Sequence, residues 1–375
     1  MMDQPISDTD FSVLHILGPL RRSGAEMMLL QSLERFTRRG IRTTIVSLDG
    51  SVNSAMSDEF RRSDVEVHDL SSGSHLQMIS GLQRIIRSEL PDCVHVHAER
   101  ASLLTMSLPR LNRVRVVRSV HSSFGFEGAL RVRKKIERGL SRAIGVQFVA
   151  VSPSVQANEK ARFSNRSMLI LNWFDATRFR VPSAQVRREA RQALGIGDEE
   201  SVIAVVGNCS EVKNHGLLLE AMARMPEQDR PLLLHAGDEG SDRAERDLAE
   251  DHGLSGCVRF LGTVIDLAPV LHASDLFVMP SLYEGLGIAA VEALGTGLRV
   301  IVTDVPGLRD LPDLNSGVSV VASDPNALAD EIGRELGLES KAHSRAEIAS
   351  QAVAVFGDER GVDQFIAAYR GNLGP

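Results

Sequence analysis

The chain has 375 residues, 43% of them hydrophobic and 24% charged, with a net charge of −7; this length exceeds what one compact core usually serves, so two domains are expected. One Trp and two Tyr are too few for an aromatic platform that stacks nucleic-acid bases. Cys93, Cys209 and Cys257 are odd in number and far apart, with no C-x-x-C or short Cys/His zinc spacing, which points away from a disulfide scaffold or zinc finger and towards a reducing cytosol.

The opening MMDQPISDTD is acidic and polar and does not read as a secretory signal. After it, strand-like runs alternate with amphipathic stretches, the pattern of parallel sheets with crossover helices. FSVLHIL, IRTTIVSL, VEVHDL, CVHVHA, VRVVRSVH and VQFVAVS come first, with helical stretches such as 26–39 and 75–89 between them. The pattern restarts with SVIAVVG, PLLLHAG, VRFLG, DLFVMP, RVIVT and VSVVA. The most apolar long segment, 261–283, is interrupted by Asp266, His272 and Asp275, so no membrane-spanning helix is expected.

These runs predict an α/β protein of two doubly wound, Rossmann-like domains. The boundary is expected within 179–200, where Pro182, a charged helical stretch at 186–194 and GIGDEE show no strand pattern. The domains then run over 1–180 and 181–357, with a helix in 358–375 packing back towards the first domain. Ligands in such folds sit outside the carboxyl ends of the strands, and with two sheets a deep cleft between them is the natural site. Charge is split: up to Val181 there are 26 Lys+Arg against 18 Asp+Glu, and beyond it 16 against 31. A basic first half and an acidic second half suggest surfaces with different partners.

One stretch carries the clearest chemistry, PSLYEGLGIAAVEALGTG over 280–297. Pro280 and Ser281 end a strand, Gly285 and Gly287 form a loop that a ligand can approach closely, and 288–294 reads as a helix. A helix N-terminus behind glycines favours an anion, because its free N–H groups and dipole both attract negative charge. Glu284 and Glu292 are eight residues apart, ~12 Å if the span is helical. Glu284 is then expected to hold sugar hydroxyls, Gly285, Leu286, Gly287 and Ile288 a diphosphate, and Glu292 a ribose, as carboxylates do in dinucleotide folds. The plainer reading has Glu284 capping the helix and Glu292 facing solvent.

PSLYEGLGIAAVEALGTGLRVIVTDVPG resembles the E-x7-E signature of retaining glycosyltransferases of family 4, which have the GT-B fold. FLGTVIDLAPVLHASDLFVMPS, VVGNCSEVKNHGLLLEA, LILNWFDATRF and GPLRRSGAEMMLLQSLERFTRRG are similar to further family segments, in the family's order. The resemblance implies that Lys213 neutralises a leaving diphosphate. It implies a backbone approach at Gly24, where Ser23 replaces the family's first glycine, and adds Val264 to the donor-binding residues. Asn208, among the expected donor-binding residues, stands where the family carries an arginine, and losing that charge is expected to weaken phosphate binding or to shift the load onto Lys213 and backbone amides. Trp173 and Phe174 replace small residues before Asp175. His121 sits where the family has a histidine facing the sugar. His95 and His97 alternate on one strand and share a face, which makes His97 the candidate acceptor contact.

What the resemblance implies is a metal-independent, retaining hexosyl or N-acetylhexosaminyl transferase using a nucleotide diphosphate sugar, with UDP expected, and no cofactor. His121, Lys213 and Glu284 are the expected catalytic residues. The acceptor hydroxyl is lipid-linked, on a polysaccharide or on a small molecule. GALRVRKKIERGLSRAI over 128–144 mixes basic residues with Leu130, Val132, Ile136, Leu140 and Ile144, and reads either as an anionic-membrane surface or as an ordinary packed helix. Nucleic acid is not expected as a partner. The expected location is cytoplasmic, with the inner membrane face as the place such a helix would dock. The alternatives are a nucleotide-sugar epimerase or phosphorylase and a non-catalytic nucleotide-sugar binder.

Overall fold

The computed structural model describes residues 11–20, 22–48, 55–70, 74–99, 103–123, 125–241, 243–337 and 344–373. Its strands are β1 (Phe11–Leu17), β2 (Ile41–Ser47), β3 (Glu66–Asp69), β4 (Cys93–Val96), β5 (Arg115–Val120), β6 (Gln147–Ala150) and β7 (Met168–Leu169) in a first sheet. The second holds β8 (Val202–Val206), β9 (Leu232–Ala236), β10 (Val258–Phe260), β11 (Leu276–Met279), β12 (Arg299–Thr303) and β13 (Val318–Val321). The strand orders are β3-β2-β1-β4-β5-β6-β7 and β10-β9-β8-β11-β12-β13. Every pairing is parallel, so the fold is two Rossmann-like α/β domains, each with helices as its crossovers.

Strands covered on both faces are continuous apolar runs. VIAVV of β8 and LFVM of β11 are of this kind, and Ile203, Val205, Leu276 and Val278 join Leu218, Met222 and Ile332 in one core. In the first sheet Leu14, Ile16, Val94, Val96, Val116 and Phe148 form the counterpart with Leu82 and Ile86 of the helix His75–Glu89. That helix starts at a capping box in which Ser74 and Gln77 satisfy each other's free backbone donors. Strand order reverses between β1 and β4 and between β8 and β11, and such switch points are where doubly wound sheets hold ligands.

The chain divides into two compact units, residues 1–172 with 359–375, and residues 173–358. The division falls ahead of the expected 180/181 boundary because the segment after β7 already belongs to the second unit. Phe174 is buried, its N–H donates to the Phe356 carbonyl at 3.0 Å, and it forms a parallel bridge with Gly357. Trp173 is buried as well, so these two large residues are core material.

The helix Asp358–Arg370 completes the first unit. Tyr369 is 1% exposed and its hydroxyl lies 2.7 Å from His95 Nδ1. Phe365 stacks on the same imidazole with ring centroids 4.9 Å apart. Arg39 bonds Glu359 and, at 2.6 Å, Asp363.

Candidate active site

In the second unit the loops after β8 and β11, the two strands flanking the switch point, bring Lys213 and Glu284 together. Lys213 Nζ is 2.5 Å from Glu284 Oε1, and Ser281 Oγ donates to the same oxygen at 3.0 Å. Both loops are pinned from below. Leu282 N–H donates to the Val212 carbonyl at 2.8 Å, Asn214 Nδ2 to that of Pro280 at 3.2 Å, and Thr303 Oγ1 to that of Ser281 at 2.6 Å. Glu284 therefore serves Lys213 and Ser281 and does not cap the helix.

The helix Ile288–Gly295 begins at Gly287, whose φ of 78° no L-residue adopts readily; a Cβ there would lie 2.9 Å from Leu308 and from Met279. No side chain caps this end, so its first N–H groups stay available to a ligand. Gly285, Leu286 and Gly287 are buried and Ile288 half-buried. The sequence estimate of ~12 Å of helical rise needs correction here: only 288–292 is helical, ~6 Å of rise, and 284–287 is loop.

Glu292 is 5% exposed, which removes the solvent-facing reading. Its carboxylate makes no hydrogen bond among the described residues. Burial pushes its carboxyl up to about 8, and Arg178 is the charge that opposes the shift. A carboxyl that is buried with no hydrogen bond among the described residues and has a raised pKa is unusual in a protein interior, and such groups cluster at functional sites.

Asn208 has a different task from a phosphate-binding cation. It is exposed, and its Oδ1 accepts the Asp238 N–H at 2.9 Å, while Cys209 N–H donates to the Asp238 carbonyl at 2.8 Å. The two loops approach so closely that a Cβ on Gly237 would lie 2.0 Å from the Gly207 carbonyl oxygen. Asn208 clasps that approach. Val264 lies half-buried in the loop after β10.

In the first unit the histidines form a row at the switch point of that sheet. His15 Nδ1 is 3.1 Å from His97 Nε2, and His97 Nδ1 is 3.1 Å from His121 Nε2. His95 pairs with His15 in the strand register and is held by Tyr369 and, at 2.8 Å, by Ser119 Oγ. Burial lowers all four imidazoles, His15 to about 3 and His121 to about 4, so the row is neutral at physiological pH. Both nitrogens of His97 are used within the row, which leaves it no ring nitrogen for an acceptor. His121 Nδ1 is buried without a partner among the described residues. His15 and Tyr369 escaped the sequence reading; the signal for His15 was a polar residue inside the apolar run FSVLHIL.

Gly24 is exposed and opens the helix Gly24–Arg38 behind Ser23, which makes no side-chain cap. Below it in the chain, the helix Gly128–Ala143 buries charge: Lys134 and Arg138 face inward, where Arg118, Lys134 and Arg138 surround Glu99 at 2.9, 3.1 and 3.4 Å. Burial pushes the Glu99 carboxyl up, but these three cations outweigh it and hold it below the usual range.

The family model described as Glycosyltransferase Family 4 matches residues 22–209, half of the chain. The chain belongs to glycosyltransferase family 4. A second model of these enzymes, Glycosyl transferases group 1, matches residues 186–352. D-inositol 3-phosphate glycosyltransferase of Corynebacterium urealyticum is 33% identical over 207 residues, 52% of this chain and 49% of the relative. The match thus spans about half the length of these relatives. EpsF of Bacillus subtilis is 28% identical over 311 residues, 78% of this chain and 79% of the relative.

Two solved structures show the same fold. A glycosyltransferase from Rickettsia africae superposes with a TM-score of 0.82 at 16% identity, covering 97% of this chain and 98% of the other. Anabaena HepE, solved in complex with UDP, gives 0.82 at 19%, with 97% and 100% covered. The family 4 chain has the GT-B class of fold, with two Rossmann-like domains.

Proposed function

We propose that this chain is a retaining glycosyltransferase that moves a hexosyl or N-acetylhexosaminyl group from a UDP-sugar to an acceptor hydroxyl, without a catalytic metal. The observation that carries the proposal is the Lys213–Glu284 pair beside the uncapped helix at Gly287, with buried Glu292 one turn into that helix. That HepE binds UDP supports the choice of nucleotide.

In this reading the diphosphate lies against the free N–H groups of 285–288 and draws Lys213 away from Glu284. Glu284 then accepts sugar hydroxyls and Glu292 the ribose, with Gly24 and Val264 as further donor contacts. Asn208 acts by holding the loop that bears Lys213. Positive potential at the departing diphosphate is what the reaction needs most, because charge develops there as the glycosidic bond breaks. The acceptor oxygen attacks the face that the phosphate leaves, and the phosphate takes its proton. His121, through Nδ1, faces the sugar, and His97 sets its tautomer.

Thermal shift against UDP-, GDP-, ADP- and CMP-sugars tests the donor, since a ligand selective for the folded state raises the melting temperature with concentration. A shift with UDP-sugars alone is expected, and none with any of them sinks the reading. Turnover of the donor without an acceptor would instead identify an epimerase or phosphorylase. Transfer without added Mg2+ or Mn2+ tests the metal-free charge balance.

A further inference from the structure

Beside the loop that carries Lys213, three side chains of the second unit converge. Cys209 follows β8, His215 opens the helix His215–Arg224, and His235 lies on β9. One ligating atom from each lies within 4.8 Å of the others, and Cys209 Sγ is 3.6 Å from His235 Nε2. Zinc bonds of about 2.3 Å to sulfur and 2.0–2.1 Å to nitrogen, at a tetrahedral angle, hold the two ligand atoms about 3.5 Å apart. The Cys209–His235 pair therefore already has the spacing that one ion demands.

A second observation points the same way. His215 and His235 are 4% and 2% exposed, and Nδ1 of each is buried without a hydrogen-bond partner. Buried polar atoms are normally satisfied, so His215 holds binding capacity that the protein does not use. Cys209 is only half-buried, which gives an ion a way in.

We propose that Cys209, His215 and His235 form a site for a zinc-class divalent cation, separate from the transfer chemistry, that clamps the loop bearing Lys213 onto β9. One thiolate and two imidazoles suit zinc and not magnesium or calcium, which prefer oxygen alone. Without the ion, His235 Nε2 donates to the Gly207 carbonyl at 3.1 Å. Binding through Nε2 moves the ring proton to Nδ1, and the Cys209 thiol proton leaves to solvent as the metal–sulfur bond forms.

Cobalt(II) reads this geometry directly. Titrating chelator-treated protein with Co2+ is expected to develop a thiolate-to-cobalt charge-transfer band that saturates in a single step and is displaced by Zn2+. Cys209→Ser should abolish the band, and Cys257→Ser, at the other half-buried thiol, should leave it. His215→Ala should weaken Co2+ binding in protein that melts cooperatively. Absence of the band in wild type, or its survival in Cys209→Ser, overturns the site. UDP-sugar thermal shifts on the same samples report the donor site independently.

Discussion

Lys213 is one of five lysines in the chain, and it is the one that meets Glu284. A hydrogen bond to a charged group contributes ~1.5–3 kcal/mol, so Lys213→Ala should lower kcat/KM for sugar transfer by roughly tenfold to a hundredfold. Steady-state kinetics at saturating acceptor check this, and wild-type values would remove Lys213 from the diphosphate. Glu292 makes a different prediction through its protonation. Its carboxyl titrates at about 8 in the folded chain against an ordinary 4.5, so across that window the folded state holds more protons than the unfolded one. Stability contributed by the neutral carboxyl is thus lost as pH rises through the window. Glu292→Gln has no such charge to bury, so it should melt higher than wild type near pH 8, with the gap closing towards pH 4.5. A gap independent of pH would contradict the buried neutral acid. The position of the carboxylate pair was legible, because two acids stand out in an apolar, glycine-punctuated run, although a helix cap and a solvent-facing acid fitted that run equally well. The task of Asn208 was not, since its partner, the Asp238 N–H, lies thirty residues on along a different strand's loop.

Among the elements, the helix Gly128–Ala143 turns the usual pattern inside out. Lys134, Arg138 and Ser141 are buried, while Leu130, Val132, Ile136 and Leu140 are 39%, 59%, 57% and 48% exposed. Arg131, Arg133, Lys135 and Arg142 are exposed with them. An ordinary packed helix would bury the apolar stripe. This arrangement supports the proposal that the helix lies on an anionic lipid surface, with its apolar residues inserted and its cations at the headgroups. Val132→Asp with Ile136→Asp should abolish sedimentation with vesicles containing anionic lipid and leave the melting temperature unchanged, because neither residue is packed. Undiminished vesicle binding would reject that surface. Most strands could be read from their apolar runs, since parallel strands buried on both faces have little else in them. β7 could not, being two residues long. Nor could the grouping of Cys209, His215 and His235, because their spacing in sequence belongs to no short metal motif and only the β8–β9 pairing brings them together. No helix among the described residues is long and apolar enough to cross a membrane.

Across the whole molecule, the first unit is built from two distant pieces of chain, 1–172 and 359–375. The second piece supplies Phe365 and Tyr369 to the packing around His15 and His95, and burying an aromatic side chain of this size contributes ~1.5–3 kcal/mol. A chain ended at Asp358 should therefore lose or sharply lower the calorimetric transition of the first unit while that of the second persists, and two unchanged transitions would show the helix to be dispensable. The same truncation removes Tyr369 and Phe365 from the His95 ring, which leaves Ser119 as its remaining hydrogen-bond partner beside the histidine row. The arrangement also bears on how the protein is made. Residues leave the ribosome in order, so the second unit can close while the first still waits for its last helix. The domain synthesised first is then the last to finish folding, and nascent chains stalled before residue 359 should expose its incomplete sheet to chaperones.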